Sequence, residues 1–161
     1  MDLILWRHAE AREPGDEPPD AAADLARPLT ARGEKQARRM ADWLNRRLPD
    51  TTRILVSPAL RCRQTADALG RKYRTVDSLA PGASHAQALD AARWPDRRAP
   101  VLLVGHQPAL GQLAAWLMAG PGALAGAPWA LRKGAVWWLR QREREGGAEV
   151  VLVAVCSPDL L

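Results

Sequence analysis

Three short runs built wholly of apolar residues constrain this chain most: Leu3-Ile4-Leu5-Trp6, Ile54-Leu55-Val56 and Val101-Leu102-Leu103-Val104. Runs this short, with no alternating polar residue, fit strands covered on both faces. Each gives way to turn-forming or cationic residues: Arg7-His8 after the first, Ser57-Pro58 and then Arg61 after the second, Gly105-His106 after the third. Strand carboxyl ends are where open α/β sheets hold their ligands. Two histidines and two arginines delivered to one sheet edge form a pattern suited to phosphate.

Helical patterns separate the runs, and the alternation predicts an α/β fold. Thr30 reads as an N-cap with Glu34 in the first turn, and Ala37, Met40, Ala41, Leu44 and Leu48 follow at helical spacing before Pro49. The next helix is expected from Leu60 to Arg71, with Thr65, Ala66 and Leu69 facing inward. A short extended piece at Thr75–Val76 precedes Leu79-Ala80-Pro81-Gly82. Ser84 caps a helix to Ala92, and Gln107-Pro108 opens another that ends near Gly120. Ala135–Leu139 and Val150–Val155 flank Gly146-Gly147 and read as a hairpin. The span from Glu13 to Arg27, rich in proline and acid, is expected to be the longest irregular stretch, of a length that in compact domains serves function or motion.

Size and composition narrow the function classes. The 161 residues suit one domain with a single full core, and 47% apolar with 25% charged residues describes an ordinary globular chain. The N-terminal apolar run stops at Arg7, which does not fit a secretory signal, and no stretch approaches the roughly 20 apolar residues of a membrane span. A cytoplasmic setting without membrane partners is expected. Cys62 and Cys156, the only cysteines, make neither a disulfide framework nor a CxxC metal site. The net charge of +5 raises the question of nucleic acid. However, Arg38-Arg39, Arg46-Arg47 and Arg97-Arg98 read as solvated helix faces or ends interspersed with acids, so no nucleic-acid partner is expected. The field of such a chain still draws an anionic substrate.

The order of the motifs resembles that of the histidine phosphatase superfamily. The pieces that carry the resemblance are Arg7-His8, Arg27-Pro28-Leu29-Thr30 with Gly33, Ser57-Pro58-x-x-Arg61 with Gln64-Thr65-Ala66, Leu79-x-Pro81-Gly82, and Gly105-His106. The short chain and the Leu-x-Pro-Gly element look like the SixA-type phosphohistidine phosphatases, with the likeness spanning about residues 3 to 116. The resemblance implies a three-layer α/β/α sandwich of the phosphoglycerate mutase type, with a mostly parallel central sheet and an antiparallel edge. It also implies a nucleophilic His8, catalysis without metal or other cofactor, and a phosphohistidine-bearing protein of phosphorelay or phosphocarrier type as partner.

Residue chemistry supports each assignment. Phosphoryl transfer spreads charge over three equatorial oxygens, so positioning and fixed cations do most of the catalysis. Arg7 and Arg61 offer planar donor forks, and His106 adds a donor, best as an imidazolium held by the bound phosphate. His8 must instead be neutral at its attacking nitrogen. Arg27 is read as bracing the long loop through an acid such as Asp24 rather than touching substrate. Arg63 and His85 are read as surface. Trp43 and Trp116 fit core positions, while Trp137 and Trp138 must face opposite sides of a strand, one of them exposed.

One departure bears on substrate. Many superfamily members carry a glutamate or aspartate, after the helix of the second arginine, that protonates the leaving group; here the region reads Val76-Asp77-Ser78-Leu79-Ala80-Pro81. Asp77 and Glu10 are the nearest candidates, and each has a plain alternative, as a loop residue or as a group closing a turn. Phosphohistidine has a weak P–N bond and a leaving imidazole that carries its own proton, so it needs no strong acid, unlike an alkyl phosphate. The expected activity is phosphohistidine hydrolysis by a monomeric, single-domain chain. The alternatives are a general phosphomonoesterase and a catalytically idle phosphate-binding domain.

Overall fold

The computed structural model describes residues 1–16 and 20–161. Six strands form one sheet in the order β3-β2-β4-β1-β5-β6. These are β1 (Asp2–Arg7), β2 (Arg53–Val56), β3 (Arg74–Thr75), β4 (Val101–Gly105), β5 (Val136–Arg144) and β6 (Gly147–Cys156). β1 runs parallel to β4, β4 to β2, and β2 to β3, whereas β5 is antiparallel to both β1 and β6. The mostly parallel sheet with an antiparallel edge is as expected from the resemblance.

Strand alternation divides the core into two layers. Ile4 and Trp6 pack with Ile54, Val56, Leu102 and Val104 against Met40, Ala41 and Leu44 of α2 (Ala31–Asn45) and Cys62 and Ala66 of α3 (Leu60–Asp67). Leu3 and Leu5 pack with Leu55, Val101 and Leu103 against α4 (His85–Ala92) and α5 (Ala109–Ala119). Leu3, Ile4, Leu5 and Trp6 are all fully buried, and each contributes about 1.5–3 kcal/mol by leaving water. Helices on both sheet faces explain why the strand runs carry no polar residue.

Several elements differ from the sequence reading. The expected irregular span from Glu13 to Arg27 contains a short helix, α1 (Ala21–Leu25), capped by Asp20, whose carboxylate accepts from the Ala23 amide at 2.6 Å. Residues 17–19 of that span lie outside the described residues. α3 stops at Asp67 rather than Arg71, because Gly70 takes a left-handed φ of 65° and the Asn45 amide captures the Leu69 carbonyl at 3.0 Å. α2 ends at Asn45, with Leu48 buried in the following turn. The piece read as Thr75–Val76 pairs as Arg74–Thr75, and α5 starts after Pro108, which is its N-cap. Both hairpin strands run longer than predicted. Neither hairpin tryptophan is exposed: Trp138 meets Trp43 edge-on at 6.3 Å, and Trp137 lies half-buried against Trp129 on the other face.

One glycine joins this frame to the turn after β1. Thr30 caps α2 through the Gly33 amide (3.0 Å), and the Thr30 amide donates to the Glu10 carbonyl (3.0 Å). A Cβ at Gly33 would overlap that same Glu10 carbonyl oxygen. Gly33→Ala would stabilise an unobstructed helix by up to about 1 kcal/mol. Here it should instead destabilise by about 1–3 kcal/mol, as overpacking does. The check is thermal unfolding, where a fall in Tm of about 2–12 °C is expected.

Candidate active site

β1, β2 and β4 end side by side, and their carboxyl ends carry the candidate residues. The His8 amide donates to the Gly105 carbonyl (3.1 Å) and the Ser57 amide to the Val104 carbonyl (3.0 Å), which locks the three strand ends together. His8, Arg61 and His106 are buried, and Arg7 is half-buried. The His8 and His106 rings lie 5.3 Å apart, tilted by 57°. These groups, with Arg27, Gln107 and Lys133 among their neighbours, line a cavity of about 300 Å³. All four sequence-predicted site residues thus converge.

The His8 imidazole has a defined tautomer. Nδ1 lies 2.7 Å from the Ala9 carbonyl oxygen, which can only accept, so Nδ1 carries the hydrogen. Burial pushes the His8 pKa down to about 4; the Ala9 carbonyl opposes this, and the Arg61, Arg7 and Arg27 guanidiniums add to it. At neutral pH, Nε2 therefore keeps a free lone pair. The neutral form that a nucleophile requires is built into the fold.

His106 sits differently. Its Nε2 is 2.7 Å from the Ser57 hydroxyl and its Nδ1 is 3.5 Å from an Arg61 nitrogen, which can only donate. The neutral ring thus carries its hydrogen on Nε2 and gives it to Ser57. Burial, then His8 and Arg61, push the His106 pKa down to about 3, against the pull of Asp24. The protein's own groups hold His106 neutral. The imidazolium expected from sequence requires the charge of a bound anion, which would protonate Nδ1 and turn it into a donor.

The arginines are fixed through main-chain oxygens. Arg7 donates from Nη1 to the Leu131 carbonyl (2.7 Å), and Arg61 from Nη1 to the Asp24 carbonyl (2.8 Å) and from Nη2 to the Asp24 carboxylate (3.2 Å). Nε of each has no hydrogen-bond partner among the described residues. Arg27 braces the α1 segment, pairing with the Asp24 carboxylate (3.0 Å) and donating to the Arg12 carbonyl (2.7 Å), while it also lines the cavity.

Sequence reading missed the contact between Asp24 and Arg61, because it depends on where α1 docks. It also missed two side chains that hold the turn after His8: Thr65 accepts from the Ala9 amide (3.0 Å) and donates to the Arg61 carbonyl (2.7 Å), and Gln36 accepts from the Glu10 amide (2.9 Å). Thr65 had a signal, since Gln64-Thr65-Ala66 belongs to the motif. Gln36 had none. His85 lies half-buried beside Trp116, with ring centroids 6.3 Å apart, rather than at the surface, and Arg63 is exposed as expected.

Neither candidate acid is placed to act. Glu10 is engaged elsewhere, accepting from the Thr30 hydroxyl (2.9 Å) and pairing with Arg32 (3.4 Å). Asp77 is exposed at the start of a single 3₁₀ turn and does not line the cavity. Two other carboxylates adjoin the site. Glu13, exposed at the rim, is held below its usual range by its hydrogen bond to Lys133, and Asp24 is held low by Arg27 and Arg61 against the opposing effect of burial. Both are ionised at neutral pH and are poor proton donors.

The two depressed histidines tie stability to pH. In the unfolded chain each titrates near 6.5, so acidification protonates the unfolded state first and favours it. Stability is therefore full above pH 6.5 and falls as pH drops towards about 4. For a shift of the His8 size the loss is about 2 kcal/mol at pH 5. Denaturant melts at pH 7.5 and pH 5 should show this loss, and His8→Ala should shrink it.

Comparison with known proteins places this geometry in context. A model of the histidine phosphatase superfamily (branch 1) matches residues 3–80. The phosphohistidine phosphatase SixA of Escherichia coli K12 is 34% identical over 128 residues, covering 74% of this chain and 76% of that protein. The structure of the protein histidine phosphatase SixA complexed with tungstate superposes with a TM-score of 0.74 at 27% identity, covering 99% of both chains. The phosphoserine phosphatase of Entamoeba histolytica shares the fold, with a TM-score of 0.68 at 15% identity over 97% of this chain and 96% of that one. With its motifs converging at one cavity and a relative of this similarity along most of its length, the chain belongs to the histidine phosphatase superfamily.

Proposed function

We propose that this phosphatase removes the phosphoryl group from phosphohistidine on another protein, through a covalent phospho-His8 intermediate. The observation that carries the reading is the neutral His8, with a free Nε2 beside Arg7, Arg61 and His106. In the first step the Nε2 lone pair forms a bond to phosphorus as the P–N bond to the substrate imidazole breaks. The leaving imidazole takes the bonding pair and departs neutral, its other ring nitrogen having taken a proton from solvent beforehand. Arg7, Arg61 and a protonated His106 hold the three equatorial oxygens, where the charge of the transition state lies. In the second step water attacks phospho-His8 and releases phosphate and His8.

The carboxylates support this substrate class. Glu13 and Asp24 are held ionised, and Glu10 is committed to Thr30 and Arg32. An alkoxide leaving group would find no ready proton, whereas an imidazole protonated by solvent at its other ring nitrogen needs no acid from the site. The similarity to SixA supports the same reading. Residues 1–161 would act as one histidine phosphatase domain, a monomer working in the cytoplasm; no helix among the described residues is long and apolar enough to cross a membrane.

Phosphate release from a phosphohistidine protein and from an alkyl phosphate tests this, run with wild type and His8→Ala. Wild type should release phosphate from the first at least about 100-fold faster than from the second, on the scale that general acid catalysis supplies. His8→Ala should abolish the first activity. Alkyl turnover of comparable rate that needs His8 would instead make the chain a general phosphomonoesterase, and no His8-dependent release from either would leave a phosphate-binding domain.

Asp24 supplies a second check. Its carboxylate competes with phosphate for Arg61, and it also anchors Arg27. Asp24→Asn keeps the size while removing the charge, so orthophosphate inhibition should tighten by about 3- to 10-fold, corresponding to one half-exposed charge interaction. Unchanged or weaker inhibition would make Asp24 a support for Arg61 rather than its competitor.

A further inference from the structure

A second cavity, of about 400 Å³, lies at the other end of β2 from the histidines. Arg53 opens that strand and Ser57 follows its end, about 13 Å away along extended chain; the cavity lining reaches as far as Leu55. Five cations from three segments line the cavity: Arg53, Lys72, Arg74, Arg93 and Arg97. No carboxylate is among its lining residues, and none of the five forms an ion pair among the described residues. Of the acids nearest in sequence, Asp50, Asp77, Asp90 and Asp96, none lines the cavity; Asp90 and Asp96 line a neighbouring groove that shares Arg93 without pairing with it, and Asp67 accepts from the Tyr73 hydroxyl (2.7 Å).

The cations are held together against their repulsion. Arg53 is half-buried and donates to the Ala92 carbonyl at 2.9 Å, which fixes it between the start of β2 and the end of α4. Burial, then Arg97, Arg74 and Arg93, hold its pKa below the ordinary arginine value. Arg93 is the one non-glycine residue with positive φ among the described residues, at 48°, where it caps α4. Glycine adopts that conformation far more readily. The buried Thr52 hydroxyl in the same wall has no partner among the described residues. Clustered uncompensated charge and an unfavourable arginine cap are costs to folding that a bound anion would offset.

We propose that this cavity binds a small molecule carrying a linear polyphosphate, free or attached to a nucleoside. Its volume of about 400 Å³ falls within the range of small-molecule pockets. One phosphate dianion balances only two of the five cations, whereas a chain of phosphates reaches several, each through the forked or point contacts that arginine and lysine make. This site stands independently of phosphohistidine hydrolysis, and its test does not use that activity.

Calorimetric titration with inorganic triphosphate, and separately with a nucleoside triphosphate, tests the assignment. Arg74→Gln/Arg97→Gln changes exposed residues only and should weaken triphosphate binding at least tenfold. The control Arg38→Gln/Arg39→Gln removes the same charge from α2 and should change it less than twofold. Arg93→Gly should weaken binding several-fold while raising Tm. Equal affinity for the two ligands supports recognition of the phosphate chain alone, and tighter nucleoside triphosphate binding supports a nucleotide site. The proposal is overturned by binding that ignores the cavity variants, by equal losses in the α2 control, by no binding, or by an RNA oligonucleotide binding more tightly through the same residues.

Discussion

A neutral imidazole buried among guanidinium groups is the constraint on which the rest of this structure depends. His8 cannot be a nucleophile unless Nε2 is bare, and it cannot stay in line unless its ring is held. One hydrogen bond does both, because the Ala9 carbonyl takes the Nδ1 proton and fixes the ring orientation. That carbonyl is available only because the turn after β1 is rigid. Thr65 holds the Ala9 amide, Gln36 holds the Glu10 amide, and α2 rests on the Glu10 carbonyl through Thr30 and the bare face of Gly33. The layer of α2 and α3 thus supports the chemistry at one sheet edge.

The sheet explains why so much of this was legible in the sequence. A strand covered on both faces admits few residues besides apolar ones, so β1, β2 and β4 announce themselves as short runs, and their ends mark the ligand edge. Arg7, His8, Arg61 and His106 follow from that register. Contacts set by docking were not legible. Whether Asp24 would meet Arg27 alone or Arg61 as well depends on how α1 packs, and five residues of helix inside a proline-rich span give little periodic signal. Glu10 stood open between acid and turn closure until the position of Thr30 settled it as closure. The end of α3 was missed because the propensity of the residues after Asp67 carried no warning beyond Gly70.

The two histidines also show how identical residue types diverge by environment. Both are depressed mainly by burial, yet His8 commits Nδ1 to a carbonyl while His106 commits Nε2 to a hydroxyl. A carbonyl can only accept, so the His8 tautomer is fixed. Nε2 of His106 already donates to the Ser57 hydroxyl, so Nδ1 can gain a proton without losing that partner. The asymmetry suits one ring to attack phosphorus and the other to respond to the charge of a bound phosphoryl group.

Charge is distributed along the sheet in the same sense. The cavity at the histidines mixes cations with Asp24 and Glu13, so its positive charge is partly balanced before any phosphoryl group arrives. Such balance favours release as well as capture, which a turnover site requires, since binding the ground state tightly does not speed the chemistry. The cavity at the start of β2 has no lining carboxylate. Its unbalanced charge favours retention over release, as a binding site requires and a hydrolytic one does not. The net charge of +5, which invited a nucleic-acid reading of the whole chain, is in part the sum of these two local arrangements. A single electrostatic field drawing anions to the protein would be divided between them by the presence or absence of neighbouring acids.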